Sequence, residues 1–211
     1  MTLQIVLYNI MTGGEGRADP LAEVVLAQNP DVVAVIEAIT TRGEDAPLRR
    51  LARRLDMEFV TAASSLDSTH AVALLSRFPI VRSVDWSLAK GLDQPTLLAD
   101  VDVPDAGGAS MVVSIVVTHM KVPVELPTSE LVLGTFESPI VIEGFVDAND
   151  LPTRPTTPAP TDRVDRILLS PNWHAHNVRI ETDRLATYAS DHYPVVARLR
   201  RTTAAVSTLS T

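Results

Sequence analysis

The stretch PDVVAVIEA, residues 30–38, decides how this chain is read. Pro30-Asp31 breaks the segment before it, and a run of β-branched and aliphatic residues then stops at Glu37. Such a run, bounded by turn signals and too short for a buried helix, reads as a buried strand. A core has no use for a carboxylate unless a partner meets it. The strand therefore reads as one that carries Glu37 to the edge of a sheet.

Working outward, the same pattern recurs. LQIVLYN ends at Asn9, and MVVSIVVTH ends at His119. SPIVIEGFVDAN passes Asp147 and Asn149, RVDRILLS carries Asp165, and Asp191-His192 stands directly before the strand-like YPVVARLR. Strand ends that each offer Asn, Asp, Glu or His can converge on one edge, where α/β proteins commonly build sites.

The intervening segments set the class. A strand over 3–9 leads into a loop with Gly13, Gly14 and Gly16, then a helix over 19–28 with Asp19 as N-cap and Pro20 at the first helical position. A strand at 32–36 precedes a helix over 45–55 that sets Leu48, Leu51 and Leu55 on one face. Strands are expected near 57–62, 70–76, 80–87, 95–103 and 111–118. Helix–strand alternation mixed with consecutive strands predicts an α/β protein with mixed sheets rather than a simple doubly wound fold. The Pro/Thr-rich stretch 151–161 is unsuited to regular structure, and 201–211 reads as a disordered tail. The expected organisation is a single domain over 1–200.

Composition narrows the partners. With 211 residues, 45% hydrophobic and 21% charged, the chain can bury a substantial core. Aromatic residues are 4%, which leaves few base-stacking platforms. A net charge of −8 opposes avid sequence-independent binding to nucleic acid, which draws on Lys and Arg. Arg49, Arg50, Arg53 and Arg54 read as a solvated helix face, with a basic rim for a nucleic-acid substrate as the other reading. Without cysteine there are no disulfides and no thiolate metal sites. No segment has the length of a membrane span or of a signal h-region. A monomer in the cytoplasm is the expectation.

Taken in order, these segments resemble the endonuclease/exonuclease/phosphatase superfamily, from about residue 3 to 199. YNI at 8–10 is similar to its opening strand, PDVVAVIEA to its PDVVALQE segment, and ALLSRFPI at 73–80 to a characteristic strand and turn. VVTHM at 116–120, RVDRILLS at 163–170 and SDHYPV at 190–195 resemble its later blocks. The resemblance implies a four-layer α/β sandwich of two packed mixed sheets flanked by helices, in a shortened form. It implies a metal-dependent phosphoesterase, with a nuclease among the options. Glu37 and Asp191 would hold Mg2+ (or Mn2+), with Asn9 on the metal or the phosphate. His119 would contact phosphate, Asp165 would orient His192, Asp147 would align or deprotonate water, and Asn149 would hold a phosphate oxygen. The substrate would be a phosphate ester, either a small molecule or nucleic acid. His70, His174 and His176 match no family position and read as surface or structural.

One block departs from the pattern. The family's Gly-Asp-Phe-Asn is matched here to GFVDAND, residues 144–150. One register takes Asp147 and Asn149 as the Asp-x-Asn pair, and the other puts Phe145 where the Asp should be. The first is preferred, because a two-residue bulge preserves side-chain facing. The second, with a chain short of helices on one side of the site, would suit a catalytically inactive binding module on the same fold. A third reading is an unrelated α/β protein whose strand ends match by chance.

Overall fold

Alternation along the strands separates an inner from an outer face, and the partition builds the molecule. The computed structural model describes residues 1–39, 46–63, 70–91, 93–105, 107–121, 125–137, 141–148, 157 and 163–202. In strand β1 (Thr2–Asn9), Leu3, Ile5 and Leu7 enter one apolar cluster, while Val6 and Tyr8 enter another. Strand β2 (Val32–Ala38) divides likewise, with Val32, Ala34 and Ile36 facing inward and Val33 and Val35 outward. This is the period-two pattern of a sheet buried on both faces.

Among the described residues, two six-stranded sheets form. The first joins β1 and β2 to β3 (Glu58–Ala63), β4 (Ala71–Ser76), β11 (Trp173–Ile180) and β12 (Val195–Arg201), in the order β11-β12-β1-β2-β4-β3. The second contains β5 (Ile80–Asp85), β6 (Thr96–Pro104), β7 (Ser110–Met120), β8 (Leu131–Phe136), β9 (Val146–Asp147) and β10 (Asp165–Leu169), in the order β5-β6-β7-β8-β10-β9. Each sheet is antiparallel except for a single parallel pair: β1 with β2, and β7 with β8. Their inner faces make one core, where Leu3, Ile5, Val32 and Leu74 meet Ile115, Val117, Leu133 and Ile167.

Helices α1 (Ala18–Leu26), α2 (Pro47–Leu55) and α4 (Arg184–Ala189) cover the outer face of the first sheet through Leu21, Val25, Leu48, Leu51 and Ala186. The five-residue helix α3 (Trp86–Lys90) lies beside β5 and β6. The outer face of the second sheet carries Val116, Val132, Phe136 and Leu168, packed by Leu126, Ile142 and Phe145 from non-helical segments. The described part of that layer is irregular chain, as the shortened form implies.

Several boundaries differ from expectation. Helix α1 begins at Ala18, with Arg17 rather than Asp19 at its N-cap, and Asp19 sits in the first turn, where the helix dipole favours it. Helix α2 starts at Pro47, a residue suited to the first turn. The expected strand at 80–87 stops at Asp85, whose side chain accepts from Leu88 N–H and caps α3. The largest difference concerns SPIVIEGFVDAN. Among its described residues it contributes only β9, with Val141 95% exposed, and the buried strand lies earlier, at β8. Residue 149, most of 151–161 and residues 203–211 lie outside the described residues. Among the described residues no helix is long and apolar enough to cross a membrane.

Strand β8 owes its place to Gly134. A Cβ there would lie 2.4 Å from the Thr118 carbonyl oxygen and 3.0 Å from the Thr118 Cγ2 on β7. Glycine lets the two parallel strands approach, and any side chain must push them apart. Gly134→Ala is expected to cost about 1–3 kcal/mol, read as a lowered urea midpoint with an unchanged m-value.

Candidate functional site

Polar residues collect where both parallel pairs end. Asn9 and Glu37 close β1 and β2, while His119 and Thr135 close β7 and β8, opposite each other in register. Asp165 opens β10 and pairs in register with Thr135. By strand parity Asn9, His119, Thr135 and Asp165 continue the inward-facing rows of Leu7, Val117, Leu133 and Ile167. Each stands one place beyond the apolar residues of its row, Asp165 at the start of its strand and the other three toward the end of theirs.

Glu37 reaches the same edge by a different route. Strict alternation would turn it outward with Val33 and Val35, toward the helices. The β2–β4 register instead slips between Val35 and Ala38, so that Ala38 takes the outward place. Glu37 has φ 58, a left-handed conformation that costs a non-glycine residue roughly 1 kcal/mol. The bulge re-aims the carboxylate, a common use of bulges beside sites. Its Oε1 accepts from Asn9 Nδ2 at 2.9 Å and its Oε2 accepts from Thr12 N–H at 2.9 Å. Burial would raise its pKa, but the Asn9 and Thr12 hydrogen bonds and the fields of His119 and His192 together hold it below the ordinary value. Asn9 is fixed in turn, its Oδ1 accepting from Met11 N–H at 3.0 Å and its carbonyl from Ser190 Oγ at 2.7 Å.

Asp165 and His192 form the second pair. Asp165 is 1% exposed; its Oδ1 accepts from Thr135 Oγ1 at 2.5 Å, and its Oδ2 lies 2.7 Å from His192 Nδ1. Burial alone would lower the His192 pKa, but the hydrogen bond to Asp165 and the fields of Asp165, Asp191 and Glu37 raise it. His119 goes the other way. Burial lowers its pKa, and the fields of Glu37, Glu137 and Asp165 do not make up the loss. Its Nε2 stands 3.3 Å from Glu137 Oε1. A cleft of about 280 Å³ opens here, lined by Glu37, His70, Asp93, His119, Lys121 and Glu137.

The expected residues divide. Asn9, Glu37, His119, Asp165 and His192 come together. Asp191 is exposed beside them, 3.4 Å from Ser190 Oγ. Asp147 does not join them: it pairs in register with the outward Leu168, and its carboxylate takes Arg163 and Arg166. Ala148, the next residue, is the one that faces the core. Asn149 lies outside the described residues. Of the arginine cluster, Arg50 pairs with Asp19, Arg54 with Glu23, and Arg49 lies over the Phe59 ring, so these three face α1 and β3 and do not line the cleft. His70, expected at the surface, borders the cleft.

Two packed mixed sheets whose parallel pairs end at one polar edge define a DNase-like sandwich. No protein-family model matches the sequence, and no curated protein matches it. The likeness lies in three dimensions. An endonuclease/exonuclease/phosphatase from Beutenbergia cavernae aligns at a TM-score of 0.69 and 20% identity, over 98% of this chain and 73% of that one. The human Nocturnin catalytic domain, solved with a bound sulfate anion, aligns at 0.71 and 16%, over 95% of each chain. A humanized D. rerio TDP2 carrying 14 mutations aligns at 0.69 and 17%, over 94% of this chain and 99% of that one. The chain has the fold of the endonuclease/exonuclease/phosphatase structures, which removes the reading of chance matches on an unrelated fold.

The expected GFVDAND block does not bring its Asp147 to this edge. The strand that ends beside His119 and Asp165 is β8, whose last residues are Gly134-Thr135-Phe136, with Glu137 next in the chain. Sequence reasoning passed over Thr135 and Glu137, although a Gly-x-Phe spacing stood there to be read.

Removing His192 would leave Asp165 a buried charge with one partner fewer. His192→Ala is expected to destabilise the fold by about 3 kcal/mol. Because its folded-state pKa lies above the ordinary 6.5, the stabilisation from His192 is complete below 6.5 and disappears as pH rises through the folded-state value. The gap in unfolding free energy between wild type and Asp165→Asn should therefore narrow with rising pH, as measured by urea denaturation across that range.

Proposed function

We propose that this chain is a phosphoesterase that binds a phosphate ester in the Glu37–His119 cleft and hydrolyses it by in-line attack of water. The observation that carries the reading is the meeting of Asn9-Glu37, from one sheet, with Asp165-His192 and His119 at one edge. The fold is also that of structures named as endonuclease/exonuclease/phosphatase, and one of them, Nocturnin, was solved with a sulfate anion.

The donor chemistry fits a magnesium ion, which takes oxygen ligands and is commonly held by only one or two carboxylates with water completing its shell. Glu37 stays ionised, and each of its oxygens has a lone pair beyond the hydrogen bond it accepts. Asp191 is the second candidate ligand. Asn9 serves to aim Glu37, since its Nδ2 donates to that carboxylate and its Oδ1 takes Met11 N–H. Among the described residues no three His, Cys, Asp or Glu form a metal-holding group; Glu37 and Asp191 would hold the ion, with water supplying the other ligands. When bound, Mg2+ or Mn2+ would act as a Lewis acid on the phosphate oxygens.

The two histidines divide the remaining work. A pair of titratable groups whose surroundings push them apart marks an acid and a base. His192, whose charged form the Asp165 hydrogen bond favours, stabilises charge growing on the phosphate oxygens. His119, kept neutral and faced by Glu137, takes the proton from the attacking water as the new P–O bond forms and the leaving-group P–O bond breaks. Gly134-Thr135-Phe136 resembles the family's Gly-Asp-Phe, and Thr135 in that place has no carboxylate to do this. A small phosphate ester suits the cleft better than a long duplex, given the chain's −8 charge. A cytoplasmic monomer completes the reading.

A second reading is favoured by the same Thr135: a module that binds phosphate esters without turnover. Hydrolysis of bis-p-nitrophenyl phosphate, with magnesium, with manganese and with chelator, separates the two. The enzyme reading expects metal-dependent turnover that falls by about 100-fold or more in Glu37→Ala. Phosphate binding that depends on His192, with no turnover by wild type, would favour the binding module instead.

A further inference from the structure

Thr135 is 3% exposed and sits between the two sheets. Its hydroxyl has one proton to give, and gives it to Asp165 Oδ1 at 2.5 Å. It also accepts from Asn9 Nδ2, at the longer distance of 3.5 Å. One small side chain therefore touches both hydrogen-bonded pairs of the site, Asn9-Glu37 and Asp165-His192.

The geometry points to Thr135 as the positioning residue that sets the Asp165–His192 pair in register with Asn9 and Glu37. With Oδ1 held by the hydroxyl, the carboxylate presents Oδ2 to His192. An ionised carboxylate only accepts, so His192 Nδ1 must carry a proton, and Nε2 is directed away from Asp165. Thr135 cannot accept a proton from water at ordinary pH, which excludes the role of base and leaves orientation. Its own place is set from behind by Gly134, whose missing Cβ lets β8 approach Thr118. Without the hydroxyl, Asp165 would keep a buried oxygen without that donor and could rotate about its side chain. The Asn9 amide would lose its contact across the sheets at the same time.

This inference deepens the phosphate-ester reading, and its affinity arm rests on that reading. The test compares Thr135→Val, which keeps the shape and removes the hydroxyl, with Thr135→Ser, which restores the hydroxyl. Two quantities are read: the slowly exchanging His192 Nδ1–H resonance in protein labelled with 15N-histidine, and the affinity for inorganic phosphate. Thr135→Val is expected to lose the resonance and to weaken phosphate binding by about tenfold or more, and Thr135→Ser to recover both. Should Thr135→Val fail to fold, Thr135→Ala takes its place with the same expectations. The inference is overturned if the variant lacking the hydroxyl keeps the resonance, or if serine does not restore it. Failure of wild type to bind phosphate would strike the phosphate-ester reading alone, because the Nδ1–H comparison still decides the role of Thr135.

Discussion

A carboxylate buried between two sheets must be satisfied or neutralised, and Asp165 organises the polar edge of this molecule for that reason. It lies at the first residue of β10, past the last inward apolar residue of its row, with almost no access to water. Its partners come from different places: Thr135 from the neighbouring strand, and His192 from the segment before β12 in the opposite sheet. The core beneath is apolar and indifferent to direction. It is at this edge that direction enters, because hydrogen bonds to a charge fix angle as well as distance. The Ser190 hydroxyl on the Asn9 carbonyl, and Arg17 on the carbonyls of Ile10, Met11 and Ala189, tie the same region from below.

The architecture gives that edge its residues. A sheet with one parallel pair brings two carboxyl-terminal strand ends to the same side, and packing two such sheets brings four. Three of the four follow simple alternation. Glu37 does not, and the slip in β2 is the local distortion that turns a carboxylate from the helix-covered face to the cleft. The strain of a left-handed glutamate is tolerated because two donors hold the carboxylate and Ala38 fits the outer cluster. The same surroundings push the two histidines in opposite directions: burial prevails at His119, while at His192 the Asp165 hydrogen bond and the fields of Asp165, Asp191 and Glu37 together outweigh it.

The comparison with solved structures shows how little sequence identity this arrangement requires. At 20% identity or less the sandwich persists, since inward and outward rows can be filled by many combinations of Val, Ile, Leu and Ala. The site is less forgiving. At the end of β8, Thr135 must meet both Asp165 and Asn9.

The sequence by itself determined the strands and their polar ends. In β1, β2, β7, β10 and β12, the length and period of the apolar runs fix which polar residues stand at the strand ends, and Asn9, Glu37, His119, Asp165 and His192 were legible on that ground. What it could not determine was which apolar run near residues 130–148 would be buried. PIVIEGFV has the stronger β-forming composition, yet LVLGTF takes the place beside β7, where Gly134 allows the close approach. That selection depends on a neighbour more than ten residues away, a contact that local propensity does not contain. Tertiary structure alone decided the facing of Glu37, the pairing of Asp147 with Arg163, and the place of Thr135 between the two pairs. Each depends on a register or a bulge, and one residue of slip exchanges the core face for the other.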